Sequence, residues 1–173
     1  MTAAAIAKPR APEIDVIVES ALWDTIADAE ATVQRALTEA THALGGNFDS
    51  RTVAILLTDD AAIRRLNAQW RGLDKATNVL SFPPAPVLDE TAATSLGDIA
   101  IAYETTAREA QAEDKRFADH LAHLAVHGFL HLLGHDHETD PQAEQMEQLE
   151  RVILRRLGIA DPYLTHPAEE VRG

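Results

Sequence analysis

The sequence predicts an α/β (α+β) fold, in which a small mixed sheet of about four strands packs with helices. Two observations support this fold class. Short apolar runs of strand length alternate along the chain with longer segments whose apolar residues recur at helical spacing. The chain has 173 residues, of which 46% are hydrophobic, so it can bury a core and still be one domain. We expect a single domain over residues 1–173, with residues 1–12 and the segment from about residue 160 loosely ordered.

Four runs of residues have the length and the apolar content of strands. They are IDVIVE at residues 14–19, TVAILL at 52–57, TNVLSF at 77–82 and DIAIAY at 98–103. The proline-rich, polar stretch at residues 83–95 separates the last two and is expected to form a mobile loop.

The first two helices are predicted from their periodicity and their ends. Apolar side chains recur at helical spacing over residues 22–44, and a pair of glycines follows as the stop. A second, short helix is predicted after Asp59 and Asp60, which supply the N-cap. Its apolar face is expected to carry three residues: Ile63, Leu66 and Trp70.

Two further helices are predicted in the C-terminal half. A long helix extends from about residue 105 to residue 133. The last helix has Asp140 as its N-cap and Pro141 in its first turn, and Gly158 follows its end. Its apolar positions form one stripe: Met146, Leu149, Ile153 and Leu157.

The charge and the cysteine count limit the classes of function. The formal net charge of −13 argues against broad, nonspecific binding of nucleic acid, but it allows a local basic patch. The chain has no cysteine, so a bound metal must be held by histidines and carboxylates. No apolar run reaches about eighteen residues, and the N-terminal apolar stretch is too short for a signal peptide. We expect a cytoplasmic protein without membrane partners.

The segment HGFLHLLGHDH, which begins at His127, contains four of the eight histidines of the chain. In residues 121–133 apolar side chains occupy every face of a helix, which is typical of a buried central helix. His127 and His131 are four residues apart, so their rings leave the same face one turn apart. Gly134 allows the left-handed turn that ends a helix, after which His137 can supply a third ligand. We therefore predict a metal site at the end of this helix.

The spacing H-x-x-x-H-x-x-G-x-x-H is that of the zinc site of the metzincin proteases. Those proteases carry a glutamate directly after the first histidine as general base, where this chain has Gly128. Three neutral histidines would leave the fourth position of the metal open to water, which indicates hydrolysis. A structural zinc site normally closes that position with a protein ligand, usually cysteine. Zinc suits three histidines best, although nickel, cobalt and copper also accept them.

The sequence does not decide the roles of the other polar residues near the cluster. His135 could take the place of His137 as the third ligand, or it could lie outside the site. His123, one turn before His127, is expected to line the site or to contact a ligand rather than to bind the metal. Asp136 either orients a ligand histidine or forms the turn. The remaining histidines are expected at the surface: His42, His120 and His166.

A second group of polar residues lies in the segment WRGLDKATNVLSFP at residues 70–83. Arg71 and Lys75 stand on the short loop between a predicted helix and a predicted strand. Arg71 could simply be solvated at the helix C-terminus, where a positive charge is favourable. Arginine is also well suited to bidentate contact with phosphate, and these two residues are among the few local positive features of an acidic chain.

Three blocks of the sequence resemble the YbeY family of bacterial rRNA-maturation endoribonucleases. The blocks are RGLDKATNVLSFP, LGDIAI and HGFLHLLGHDH, and the resemblance extends over about residues 14–157. It implies a metal-dependent, single-strand-specific endoribonuclease that acts in 16S rRNA 3′-end maturation and ribosome quality control. It also implies a mixed sheet with helices around it. Family members often have tyrosine where this chain has His135, which leaves open whether His135 competes for the metal.

The resemblance also assigns roles to individual residues. It implies that His127, His131 and His137 hold one zinc ion and are catalytic, and that Arg71 contacts the substrate or takes part in catalysis. The partners implied are single-stranded RNA, particularly rRNA, and the ribosome or small-subunit proteins. Because the chain is acidic, RNA would have to bind in a local cleft around Arg71, Lys75 and the metal, or be delivered by a ribosomal partner.

The expected chemistry is phosphodiester cleavage, in which Arg71 stabilises charge on the phosphoryl oxygens. The nucleophile is either water or the RNA 2′-OH, and the residues do not distinguish these routes. Two alternative functions remain. A metallopeptidase could use the same site, but Gly128 removes its general base. A non-catalytic ribosome-assembly factor could use the metal site for folding alone.

Overall fold

The computed structural model describes residues 10–84 and 94–164 of the chain. Its sheet has four strands: β1 (Glu13–Val18), β2 (Arg51–Thr58), β3 (Val79–Phe82) and β4 (Thr94–Ala102). The strand order is β1-β2-β4-β3. β1, β2 and β4 are parallel, and β3 is antiparallel to β4 at one edge. The predicted α/β fold with a small mixed sheet is confirmed.

The part of the chain that the structure describes also contains five α-helices. They are α1 (Ala29–Leu44), α2 (Asp60–Arg71), α3 (Tyr103–Ala112), α4 (Phe117–Leu132) and α5 (Asp140–Arg156). α4 contacts the sheet and also α1, α3 and α5. Nine of its 16 residues are buried, which confirms the predicted buried central helix.

The two faces of the sheet carry different helices. On one face α4 and α1 cover Ile99, Ile101 and the other side chains of the main core. On the other face α2 places Ile63 against a smaller cluster formed by Leu80 and Ala100. Successive strand residues alternate between these faces, so the side chains of β3 point alternately toward α4 and toward α2.

The first predicted helix is wrong in its N-terminal part. Residues Ala21–Thr25 form a short 3₁₀ turn, and α1 begins only after Asp28, which is left-handed with a φ of 63°. Leu22 is exposed, whereas Trp23 is buried and its Nε1–H donates to the carbonyl oxygen of Thr58 (2.8 Å). The apolar residues that suggested one helix therefore belong to two elements with a turn between them.

The long helix predicted from about residue 105 to residue 133 is also wrong, because it is two helices, α3 and α4. The chain turns at Asp114, which has a left-handed φ of 54°. The backbone N–H of Lys115 then donates to the carbonyl oxygen of Ala110 (2.8 Å). Aspartate tolerates this conformation better than most residues, so a single position breaks a periodicity that continues on both sides.

The last helix differs from its prediction only at the N-cap, which is Thr139 rather than Asp140. The hydroxyl of Thr139 accepts a hydrogen bond from the backbone N–H of Gln142 (3.4 Å), and the Gln142 side chain accepts one from the backbone N–H of Thr139 (3.2 Å). This reciprocal pair satisfies two free donors at the helix start. Pro141 lies in the first turn, and Gly158 follows the helix with a φ of 75°, as predicted.

The remaining predictions concern the loop and the chain ends. Residues 85–93 of the predicted loop lie outside the described residues, and β4 already begins at Thr94. Residues 1–9 and 165–173 of the two ends expected to be loosely ordered also lie outside. Within the described residues, Arg10 forms a β-bridge with Asn47, and the hydroxyl of Tyr163 donates to Glu150 of α5. Within the described ranges, no helix combines the length and the apolar character needed to cross a bilayer.

Candidate metal centre and its cleft

A glycine turn ends α4 beside the candidate centre. The backbone N–H of Gly134 donates to the carbonyl oxygen of His131, and that of His135 donates to the carbonyl oxygen of Leu130, both at 3.0 Å. Gly134 has a φ of 97°, which a residue with a Cβ rarely adopts. The two hydrogen bonds satisfy carbonyl groups at the helix end and turn the chain back. His137 therefore returns toward the face of α4 that carries His131.

Three histidines meet at this turn. One ring nitrogen from each of His127, His131 and His137 lies within 4.8 Å of the other two. The Nε2 atoms of His127 and His131 are 3.1 Å apart. Two nitrogens that bind one tetrahedral zinc ion at about 2.0–2.1 Å would be about 3.4 Å apart. The three side chains therefore form a group that could hold a single metal ion.

The group is open to solvent on one side, because His127 and His131 are half-buried and His137 is exposed. Burial lowers the pKa of His131, and positive charge on His127 or His137 lowers it further. His131 therefore stays neutral to a lower pH than an ordinary histidine. A neutral imidazole has the free lone pair that a metal requires.

Glu150 of α5 is fully buried and contacts the three-histidine group through one of its members. Its Oε1 accepts a hydrogen bond from Nδ1 of His127 (2.6 Å), and its Oε2 accepts one from Nε2 of His123 (2.7 Å). A proton on Nδ1 of His127 leaves the lone pair on Nε2, the atom that faces His131. The carboxylate therefore fixes both the tautomer and the orientation of a candidate ligand.

The ionisation of Glu150 follows from the balance between burial and hydrogen bonding. Burial opposes the charged form, but the hydrogen bonds from His123 and His127 outweigh it and lower the pKa of Glu150 to about 2. Tyr163 adds a third donor through its hydroxyl. Burial raises the pKa of Tyr163, so this hydroxyl keeps its proton and remains a donor. The carboxylate is thus charged at neutral pH and held by three groups.

His123 and His120 lie beside the three-histidine group and not in it. His120 is 5% exposed, so its prediction as a surface residue is wrong. Its Nε2 lies 2.9 Å from Oε1 of Glu109, and the same oxygen accepts a hydrogen bond from the side-chain amide of Asn78 (3.0 Å). Glu109 belongs to α3, which the sequence did not separate from α4. This carboxylate offsets the cost of burying an imidazole.

The other polar residues near the turn stay outside the group. His135 is not one of the three histidines that come together, and at the turn it contributes its backbone N–H. Oδ1 of Asp136 accepts a hydrogen bond from the backbone N–H of His137 (2.7 Å), so Asp136 forms the turn. His42 is exposed as predicted, and His166 lies outside the described residues.

Gly128 lies where α4 packs tightly against the sheet. A Cβ at this position would be 2.9 Å from Cγ2 of Ile99, 3.1 Å from Oγ of Ser81 and 3.3 Å from Cγ2 of Val79. The hydroxyl of Ser81 also donates to the carbonyl oxygen of Gly128 (2.9 Å). A side chain at position 128 would therefore collide with β3 and β4 instead of reaching the metal group. A glutamate here has no room to act as a metzincin base, which weakens the metallopeptidase alternative.

Replacing Gly128 with Glu should lower the free energy of unfolding by at least about 3 kcal/mol, because overpacking and a buried unpaired carboxylate both destabilise. Gly128→Ala isolates the overpacking, which costs about 1–3 kcal/mol and is partly offset by the better helix propensity of alanine, worth about 1 kcal/mol. Urea unfolding measures both variants against the wild type. Three proteins of equal stability, or peptidase activity in the Glu variant, would contradict this account of position 128.

The three histidines line an open cleft of about 590 Å³. It lies between the end of α2, strand β3 and the turn that follows α4. Basic, acidic and neutral polar side chains also line the cleft: Arg71, Thr77, Asn78, Ser81, Asp136 and Glu138. Arg71 and the candidate metal ligands thus share one cleft, although 56 to 66 positions separate them in the sequence.

Arg71 ends α2, and side chains of the same helix hold the loop that follows. Arg64 makes two hydrogen bonds with the carboxylate of Asp74 (2.7 and 3.1 Å). The buried Asn67 donates its side-chain amide to the carbonyl oxygen of Lys75 (3.0 Å). Arg71 is exposed and forms no ion pair with a carboxylate of residues 10–84 or 94–164. Its charge is therefore free for a ligand, whereas Lys75 does not line the cleft.

Comparison with known proteins decides the family. The profile of the family described as Endoribonuclease YbeY matches residues 18–158, a range that includes Arg71 and the three grouped histidines. The chain belongs to this family. The resemblance inferred from the three sequence blocks is confirmed.

Similar proteins named Endoribonuclease YbeY occur in several bacteria. The one from Rhodopseudomonas palustris (strain BisA53) is 54% identical over 155 residues, which cover 88% of this chain and 90% of that protein. The one from Nitrobacter winogradskyi is 55% identical over 156 residues, covering 88% of this chain and 82% of that protein. The one from Bradyrhizobium diazoefficiens is 52% identical over 163 residues, covering 92% of this chain and 89% of that protein.

In this YbeY-family chain, Glu150 is the residue of the centre that the sequence analysis missed. It lies four positions after Met146 and three before Ile153, so it falls on the apolar stripe predicted for the last helix. A carboxylate in that stripe must be buried and therefore needs partners. That position was a usable signal, but the sequence did not show which residues it would contact.

Proposed function

We propose that this chain is an endoribonuclease that cleaves single-stranded RNA in a metal-dependent reaction. The observation that carries the proposal is the grouping of three histidine nitrogens in one open cleft with Arg71, which pairs with no carboxylate of the described residues. Family membership supports the same activity. We further propose that the protein acts in 16S rRNA 3′-end maturation and in ribosome quality control.

His127, His131 and His137 would hold the metal, and zinc is the ion that three histidines suit best. A bound zinc ion would polarise a phosphoryl oxygen and make hydroxide available near neutral pH. Glu150 keeps Nε2 of His127 directed at the centre by accepting a hydrogen bond from Nδ1. The lowered pKa of His131 keeps that ring neutral and able to bind.

Arg71 would contact the phosphate that is cleaved. Its guanidinium presents N–H donors in a planar fork, which matches two phosphoryl oxygens. Charge builds on those oxygens in the transition state, so a preorganised donor accelerates the reaction. The nucleophile is water or the RNA 2′-OH. A 2′,3′-cyclic phosphate among the products would rule out direct attack by water as the only route.

We also propose that residues 1–173 act as one domain in the bacterial cytoplasm, with the ribosome or small-subunit proteins as partners. The net charge of −13 repels a polyanion from most of the surface. A partner on the ribosome would deliver the RNA to the cleft despite this repulsion.

The experiment that tests the proposed function is cleavage of a single-stranded RNA spanning a 16S 3′ end, with the same sequence as a duplex for control. We expect the single strand to be cleaved, the duplex to resist, chelation to stop the reaction and zinc to restore it. Cleavage at an unchanged rate after complete chelation would contradict the proposal. Cleavage that requires added small subunits would support delivery by a partner.

Replacing Arg71 with Ala should lower kcat by about 10²–10³-fold, the usual loss when one preorganised donor to a transition-state oxyanion is removed. Arg71→Lys should recover only part of this loss, because lysine keeps the charge but lacks the planar fork. Arg65→Ala, which removes an exposed charge from the same helix, is the matched control. If Arg71→Ala changes kcat no more than the control does, Arg71 only stabilises the end of α2.

A further inference from the structure

Trp70 is exposed at a position where the sequence predicts burial. The predicted apolar face of α2 holds for Ile63, which is fully buried, but 64% of Trp70 is exposed. The other tryptophan of the chain, Trp23, is 3% exposed. Burying an indole removes about 150–250 Å² of mostly apolar surface from water, so leaving it exposed forgoes a large stabilisation. The exposed indole offers a large, flat apolar face to a binding partner.

Trp70 lies beside the Arg71 end of the cleft and is not itself one of the residues that line it. It directly precedes Arg71, and its ring packs edge-on against Phe82, with ring centroids 6.3 Å apart. Ser81 and Pro83, the neighbours of Phe82 in the chain, both line the cleft together with Arg71. Phe82 packs on the α2 side of the sheet, and β3 is the edge strand. The indole therefore lies on the α2 side of the sheet, and the three histidines lie on the other side. The edge strand β3 is between them.

The nature of the ring and its surroundings indicate what covers it. An aromatic face stacks on any unpaired nucleobase, and this contact does not depend on charge. The chain carries a net charge of −13, so charge-independent contacts matter more here than in a basic RNA-binding protein. Bases in a duplex are already stacked and paired, whereas bases of a single strand can turn outward onto a protein ring.

We infer that Trp70 binds an unpaired base of the RNA by stacking, next to the nucleotide whose phosphate Arg71 contacts. The inference rests on the proposed function and names a residue that selects single strands. Stacking occurs in the substrate complex, so Trp70 contributes mainly to affinity for a single strand. It also places the bound strand along a path from Trp70, past Arg71, to the histidines.

Intrinsic fluorescence tests the inference directly, because the chain has only two tryptophans and Trp23 is buried. The probe is a single-stranded 2′-O-methyl oligonucleotide, checked for integrity after each titration with the metal-loaded protein. We expect it to quench an emission component that Trp70→Phe lacks. Trp70→Ala should raise Kd about tenfold, within the range for loss of one base–aromatic stack, and Trp70→Phe should raise it less. In cleavage assays, Trp70→Ala should raise KM more than it lowers kcat.

The outcomes separate this inference from the proposed function. A wild type that binds and cleaves RNA without quenching, and a Trp70→Ala variant with an unchanged Kd, would overturn the role of Trp70 and leave the ribonuclease intact. A wild type that neither binds nor cleaves RNA would instead remove the proposed function. Blue-shifted Trp70 emission that acrylamide cannot quench in the free protein would show that the chain itself covers the ring, which also overturns the inference.

Discussion

His131→Ala should lose RNA cleavage by at least about a thousandfold and should no longer retain the metal, while the protein stays folded. A bound metal supplies several kcal/mol of transition-state stabilisation, and each 1.4 kcal/mol is about a factor of ten in rate. His131 provides one of the three nitrogens that face each other, and it is the residue whose lowered pKa keeps it neutral. Its ring is half-buried at the cleft, so truncation removes little core packing.

Three measurements on His131→Ala distinguish the possible functions. Metal content by atomic absorption, folding by circular dichroism and cleavage of single-stranded RNA are compared with His42→Ala, which removes an exposed histidine. A folded, metal-free and inactive variant agrees with the proposed centre. An unfolded variant would favour a metal site that serves folding, as in a non-catalytic assembly factor. Cleavage equal to that of the wild type would show a contaminating nuclease.

Glu150→Gln should weaken metal binding by about 10–100-fold, because carboxylates that orient a metal-binding histidine contribute effects of this size. The glutamine side chain keeps the shape of Glu150, but its NH₂ group cannot accept a hydrogen bond. At least one of the three donors to Glu150 would therefore lose its acceptor: His123, His127 or Tyr163. Weakening the hydrogen bonds of a buried, charged carboxylate also costs about 1.5–3 kcal/mol of stability. Isothermal titration with zinc and urea unfolding of the chelated protein measure the two effects. Glu144→Gln, an exposed change on the same helix, is the control.

Glu150 also makes the stability of the chelated wild type depend on pH in the acid range. The pKa of Glu150 falls from an ordinary 4.5 to about 2 on folding, so its stabilisation is complete above about pH 4.5. It is lost as the pH falls from about 4.5 to about 2, because in that window the unfolded chain binds the proton first. Glu150→Gln should lose less stability than the wild type across this window. Parallel losses in the two proteins, or zinc affinity equal to that of Glu144→Gln, would contradict the role of Glu150.

The part of the centre that the sequence predicts is local. His127, His131 and His137 come together because a helical repeat of four and a glycine turn fix their relative positions over eleven residues. Short-range geometry of this kind depends little on the rest of the fold. The sequence also predicts the alternation of strands and helices, because burial of one face of a sheet or a helix imposes a period on the apolar residues.

The parts that the sequence does not predict depend on contacts between distant segments. Glu150 meets His127 only because α5 packs on α4, and His120 is buried only because Glu109 of α3 lies against it. The break at Asp114 that separates α3 from α4 is a single left-handed residue. Trp70 has the right period for the core, yet the core under α2 does not extend to it. Periodicity shows which residues can be buried, and tertiary packing decides which of them are.

The proposed function requires that the three-histidine group hold the metal on which RNA cleavage depends. Its most direct test is a zinc titration into fully chelated protein, with bound metal and the rate of single-strand cleavage followed in the same samples. We expect the rate to rise in proportion to bound zinc and to reach its maximum at one ion per chain. Full activity before any zinc is bound, or one bound ion per chain without any gain in cleavage, would contradict the proposed function.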